Sequence, residues 1–185
     1  VDTLCRRSSQ LVWEGAGILV LSDRGVNVAR APIPPLVATA AVHSHLVREG
    51  ARALCGLVVE SGEPRETMHI ALLLGYGAAA ISPYLALDTV AALQSRGDLG
   101  EISVDEATNR YIQALSHGIL KVCSRMGIST VQSYRGAQIF EAIGLGPRIV
   151  DRYFTGTVSR VGGLELSDLQ GVIADRHARA YQLQV

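Results

Sequence analysis

Lysine is almost missing from this chain of 185 residues: of 17 basic residues, 16 are arginine and the other is Lys121. The bias reflects coding composition rather than a surface built for phosphate. Because 17 acidic residues bring the formal net charge to zero, there is no electrostatic footprint for nucleic acid or for an anionic membrane. Long apolar runs are missing too. The longest near-continuous one, Ile70 to Ile81, is interrupted by Gly and Tyr and falls well short of the ~20 residues that span a bilayer. The first residues, VDTLCRRSSQLVWEGAG, lack the apolar core of a signal peptide and read as a helix entering a strand. Since the chain opens with an element already under way, an excerpt of a longer protein is expected. Cysteine is sparse and unpaired. Cys5, Cys55 and Cys123 are widely separated with no CxxC pair, which argues against a disulfide framework or a thiolate metal site. They are expected as reduced, mostly buried thiols of a cytoplasmic or plastid-stroma protein.

What is present points to a core. The chain is 48% hydrophobic and 18% charged, a balance that favours a packed fold over disorder. Aliphatic or β-branched runs recur at Ile18–Leu21, Leu54–Val59, Ala78–Ile81 and Ile128–Val131, separated by helical patterns. From Pro35 to Glu49, Leu36, Ala40, His43 and Val47 share one helical face, and Gly50 is placed for a left-handed C-terminal cap. Pro64 behind SGE and Pro83 behind Ser82 are expected at first helical positions. Arg96 to Ser103 is a charged break, followed by long helices over Val104–Met126 and Ser167–Tyr181. The class is therefore α/β: parallel βα units forming part of a degenerate barrel-like or open sheet, followed by a mainly helical connecting segment.

Ligands of parallel α/β layers collect at the carboxyl ends of the strands, and this sequence puts polar residues there. Ser22, Asp23 and Arg24 follow the first strand, Glu60, Ser61, Gly62, Glu63 and Arg65 the second, and Ser133, Tyr134, Arg135 and Gly136 the fourth. Such a rim can bind an anionic or amide ligand, or line a passage to a neighbouring domain. Caps and ion pairs, such as Asp23 or Glu63 with a nearby Arg, explain the same residues without chemistry, and that reading is the stronger of the two. GYGAAA at Gly75–Ala80 matches a dinucleotide fingerprint but joins a helix to a strand, the wrong context for phosphate. In HSH at His43–His45 the two rings point to different faces, so His43 reads as a hydrogen-bonded core residue and His45 as solvent-facing. His69, His117 and His177 have no ligand-spaced partners, and nothing near Lys121 would depress its pKa for Schiff-base chemistry.

Four stretches resemble one family. KVCSRMGISTVQSYRGAQIFEAIGLG (Lys121–Gly146) is the most telling, joined by ILVLSDRG and APIPPLVATAAVHSHLVREG (within Ile18–Gly50), GLVVESGEPRETMHIALLLGYGAAAISPYLALDTV (Gly56–Val90) and RYFTGTVSRVGGLEL (Arg152–Leu166). Together they resemble the glutamate synthase large chain, ferredoxin- or NAD(P)H-dependent. Cys123 stands where the family suggests Met, Ser82 where Asn is usual, and Ala79 where an acidic residue is common.

The resemblance implies an enzyme that makes two glutamates from 2-oxoglutarate and glutamine, with an amidotransferase domain, an internal ammonia route, and a barrel carrying FMN and a 3Fe-4S cluster. It implies that residues 1–97 are the C-terminal half of the central domain and 98–185 the connection toward the FMN-binding barrel. Partners would then be the other domains of the same polypeptide and ferredoxin or an NAD(P)H-linked subunit, with no nucleic acid and no membrane. The chain has neither the chain-initial Cys nor a Cys trio, so the segment alone is expected to be inactive, to bind neither cofactor, and to scaffold the domains and wall the ammonia route. Two other readings stay open: a stand-alone docking or tunnel subunit acting in trans, and a small α/β ligand-binding domain.

Overall fold

The computed structural model describes residues 1–182. Helix α1 (Asp2–Trp13) leads into strand β1 (Ile18–Ser22), then α2 (Pro35–Arg48), β2 (Gly56–Glu60), α3 (Thr67–Gly75), β3 (Ala80–Ser82) and α4 (Tyr84–Ser95). The three strands lie side by side in chain order and in parallel, with Val20, Val58 and Ala80 in register. Side chains alternate across a strand, so Leu19, Leu57 and Val59 go to the face covered by α2 and α3, where they are almost fully buried. A 3-10 turn at Arg52–Leu54 takes the first residue assigned to the second strand. Helix α2 buries Val37 to Val42 and Leu46, a broader face than the sequence suggests, and leaves Val47 exposed. Gly50 does adopt positive φ.

The prolines behave differently from expectation. Pro64 is fully buried in a loop, and α3 starts three residues later behind an extended Glu66. Pro83 is the N-cap of α4, while Ser82 remains in the strand.

The second half is not purely helical. After α5 (Val104–Arg125), capped by Ser103, comes the short helix α6 (Val131–Tyr134), then β4 (Glu141–Leu145), α7 (Pro147–Tyr153), β5 (Val158–Leu164) and α8 (Leu166–Gln182). Ile128–Val131 is not a strand. The Thr130 hydroxyl accepts the Ser133 N–H and turns the chain into α6, while Ile128 packs against the α3–α5 core. The fourth strand lies further on, β4, and pairs in parallel with β5. Helix α5 crosses α3 closely at Gly118, where a Cβ would sit 2.3 Å from the Thr67 Oγ1. No helix of the described residues is long and apolar enough to cross a membrane.

The amino ends of the strands are fastened by one side chain. Arg52 donates to the carbonyls of Cys55 and Gly77, both at 2.7 Å, and to Nδ1 of His43 at 3.0 Å, so it ties α2, the start of β2 and the α3–β3 turn together. An Nδ1 that accepts places the ring proton on Nε2. Gly77 has φ +110°, and a Cβ there would fall 2.2 Å from that nitrogen. His43 is thus the core histidine expected from sequence, but His45 is not solvent-facing: it meets the buried Ser9 hydroxyl and Glu49.

Burial, aided by the Arg52 and Arg135 cations, pushes His43 from 6.5 down to about 4. The unfolded chain therefore takes up a proton near 6.5 that the folded chain refuses until about 4, and stability falls as pH drops through that window. Urea unfolding midpoints between pH 7 and 4 should show this loss, and His43→Gln, which keeps an acceptor for Arg52 but cannot titrate, should flatten it.

Candidate functional site

The carboxyl ends of β1 and β2 finish level, with Ser22 opposite Glu60 and Glu60 opposite Ser82. The Ser22 hydroxyl donates to one oxygen of Glu60 at 2.5 Å and the Arg24 Nε to the other at 2.6 Å. These two bonds, the hydroxyl first, hold the Glu60 carboxyl below its usual range, and the same contact holds Arg24 above its own. The Arg24 guanidinium also lies over the Tyr84 ring, 4.1 Å from its centroid, a cation–π contact.

Asp23 turns inward. It accepts the Ser61 hydroxyl at 2.5 Å and the Gly62 N–H at 3.2 Å, and Ser61 in turn accepts the Glu63 N–H at 3.2 Å. Ser61 is 1% exposed, so Asp23 serves as the cap of a buried turn. Burial, then the hydrogen bond and charge of Asp23, push the Tyr84 phenol up to about 12. Glu63 pairs with Arg176 of α8 at 3.1 Å, and His177 of the same helix meets the Asn27 carbonyl at 2.8 Å. A cavity of about 440 Å³ beside β1 is lined by Ser22, Asp23, Glu60 and Ser61, by Arg30 and by apolar side chains including Val20 and Ile33.

Of the residues expected at the rim, Asp23, Arg24, Glu60, Ser61 and Glu63 come together. Arg65 stands at the edge, its carbonyl bonded by the Tyr111 hydroxyl at 2.8 Å and its N–H by His69. Ser133, Tyr134 and Arg135 do not join them. Ser133 and Tyr134 belong to α6 and Arg135 is its C-cap; this turn sits against the C-terminus of α3 through the Gly136 N–H and Gly75 carbonyl, at the amino end of the layer. Ser133 is exposed within the α6 cap, and Arg135 donates to Gln132 at 2.6 Å. Tyr134 is fully buried in the α3–α5 core, its hydroxyl without a partner among the described residues.

Sequence reasoning missed Tyr84, Arg176 and Arg52. The first had a signal, a phenol two residues after the third strand. The other two depend on tertiary packing.

Asp23, Arg24, Glu60 and Glu63 each have an opposite charge or a hydroxyl beside them, and among the described residues no histidine bonds Ser22 or Ser61 to make a nucleophile. Ser9, His45 and Glu49 do group elsewhere, yet both oxygens meet the same ring nitrogen, at 3.2 Å each. The second nitrogen is left without the orienting carboxylate that such catalysis needs. The rim is thus a set of mutual caps and ion pairs.

The fold has relatives among barrel-type α/β proteins. A double mutant of flavocytochrome b2 with sulfite bound aligns with TM-score 0.54 over 91% of this chain and 38% of that one, at 16% identity. A mutant with benzoylformate aligns with TM-score 0.54 over 71% and 31%, at 15% identity. At such identity the likeness concerns the fold alone.

Sequence carries the assignment further. Residues 1–146 match the family model of the glutamate synthase central domain, and the chain belongs to that family. It is 48% identical to the glutamate synthase [NADPH] large chain of Bacillus subtilis over 95% of this chain and 12% of that protein. It is 42% identical to the ferredoxin-dependent glutamate synthase of Cyanidium caldarium over 91% and 12%, and 40% identical to the glutamate synthase [NADH] of Saccharomyces cerevisiae over 98% and 9%. The chain spans 9–12% of the length of these curated relatives.

Asp23→Asn keeps the shape of the turn but sets an amide N–H against two donors, a change that costs about 1–3 kcal/mol when the group is buried. It also removes the carboxylate beside Tyr84. Its phenol, identified by the difference from Tyr84→Phe in a tyrosinate absorbance titration, is expected to move from about 12 back toward 10. An unmoved Tyr84 would mean that burial alone sets its acidity.

Proposed function

We propose that this chain is a segment of a glutamate synthase, the oxidoreductase that makes two glutamates from 2-oxoglutarate and glutamine with electrons from ferredoxin or NAD(P)H. The observation that carries this reading is the match of residues 1–146 to the central domain family, with 40–48% identity to three synthases with different electron donors. Within that enzyme the segment scaffolds the amidotransferase and FMN domains and walls the ammonia route between them. Residues 1–97 contribute the βα layer of the central domain and 98–185, of which 98–146 still fall within the central-domain match, the connection toward the FMN-binding barrel. Packing makes that connection firm, because α5 lies on both α3 and α4.

The family's cofactors do not fit the residues present. No group of three His, Cys, Asp or Glu among the described residues is placed to hold a metal. Cys5 and Cys55 are buried in one core cluster and Cys123 in another. At the strand-end rim Arg24 and Arg176, the kind of cation that the phosphate of FMN calls for, are already paired with Glu60 and Glu63. Both groups belong to other parts of the synthase.

Arg135 is the domain-contact residue. It is partly buried at the amino end of the layer, as the C-cap of α6, and among the described residues its side chain donates to Gln132 alone. A guanidinium has five N–H donors, so most of them remain for carbonyls or carboxylates of a neighbouring domain.

The test uses the full-length chain. Purified enzyme given glutamine, 2-oxoglutarate and a reductant should form glutamate, and failure with both donors would overturn the assignment. In Arg135→Ala, glutamine hydrolysis should persist while glutamate formed per glutamine consumed falls, since loss of a buried charged contact costs about 2–5 kcal/mol. Unchanged stoichiometry and rate would remove Arg135 from the domain contact.

A further inference from the structure

Strand β1 is the outermost of the three-stranded sheet, with β2 on one side and no strand on the other among the described residues. The Gly17 carbonyl accepts from Gly56 and the Asp23 N–H donates to Glu60, so the odd-numbered residues of β1 direct their backbone groups to β2. In a parallel ladder alternate residues point both groups the other way. The N–H and C=O of Ile18, Val20 and Ser22 therefore face an open edge. The same residues carry their side chains to the sheet face opposite α2 and α3, where Ile18 is 66% and Val20 58% exposed. Parallel sheets are ordinarily covered on both faces, and open edges are ordinarily blocked. Neither protection is present: no proline or lysine lies in β1, and the pairing with β2 runs without a bulge.

Helix α1 identifies what is missing. It packs along α2 on the covered side of the sheet, the place of a crossover helix, and delivers the chain to β1 as α2 delivers it to β2. The strands advance in one direction, β1 to β2 to β3, with their helices on one face. A right-handed crossover through α1 puts the strand that feeds it beside β1, on the side away from β2.

We propose that a further strand of the same, longer polypeptide pairs in parallel with the free edge of β1 and brings apolar side chains over Ile18 and Val20. This rests on the reading of the chain as part of a synthase whose relatives it spans by 9–12%. A second copy of the chain is the poorer occupant. Pairing β1 with β1 about a two-fold axis is antiparallel, and it leaves α1 as a crossover with no strand behind it.

Hydrogen–deuterium exchange resolved to single amides tests the proposal. In the full-length chain, Ile18, Val20 and Ser22 should exchange at least about a hundredfold more slowly than unprotected amides, alongside Leu19 and Leu21. In the 185-residue chain the three even-numbered amides should exchange near the unprotected rate while Leu19 and Leu21 stay slow. Fast exchange of the three in the full-length chain overturns the proposal, as does protection in the 185-residue chain that rises with its concentration, the sign of a second copy. The full-length chain decides alone if the shorter one does not fold. Protection without glutamate formation would reject the assigned activity and leave the strand in place.

Discussion

The layer depends on the Arg52 clamp. A parallel βα repeat has no hairpins, so strands adjacent in space are joined only through helices packed behind them, and something must fix where each helix returns. Arg52 does this for two returns at once, taking the Cys55 carbonyl at the start of β2, the Gly77 carbonyl before β3 and His43 on α2. Half-burying a guanidinium is costly unless its donors are met, and burial draws its pKa down. Three acceptors meet that cost, and the third must be neutral, because an imidazolium would put two cations side by side. Burial first and the Arg52 charge second keep the His43 pKa low, and the same close approach leaves no space for a side chain at Gly77.

The two ends of the layer consequently have different characters. At the amino end the polar groups are interior and committed to the backbone, the pattern of a stability device. At the carboxyl end Glu60 is held by Ser22 and Arg24 in the half-exposed rim, and Asp23 closes a turn. Such mutual pairing sets the carboxylates of the rim against its hydroxyls and cations. The family to which residues 1–146 belong gives that arrangement a context without making the rim a catalytic site.

The legible parts of the sequence were those where one local rule decides. Ile18–Leu21 reads as a strand because four aliphatics follow a Gly-rich turn, and Gly50 reads as a cap because only a residue tolerant of positive φ fits there. The rim residues on β1 and β2 were legible because strand ends are, once the strands are placed. Ile128–Val131 misled for the opposite reason: three β-branched residues in four carry β propensity, but a threonine cap and the pull of the α3–α5 core decide the conformation. That error carried Ser133, Tyr134 and Arg135 to the wrong end of the layer. The Glu63–Arg176 pair, 113 residues apart, has no local signature.

A one-sided sheet explains the remaining oddity, the number of exposed aliphatics in a chain that otherwise packs well. Ile18 and Val20 on the first sheet and Ile143, Val158, Val161 and Leu164 on the second are all exposed, and each set lies on strands with helices on one face at most. An isolated parallel pair such as β4–β5 has too little ladder to stand without further packing, yet β4 buries Ala142 on the inner side against the core that holds α7. The first sheet thus has one face finished and one face open, whereas β5 is exposed along its whole length. Ile18 and Val20 are the side chains that the proposed further strand would cover, turning an exposed face into an interior one.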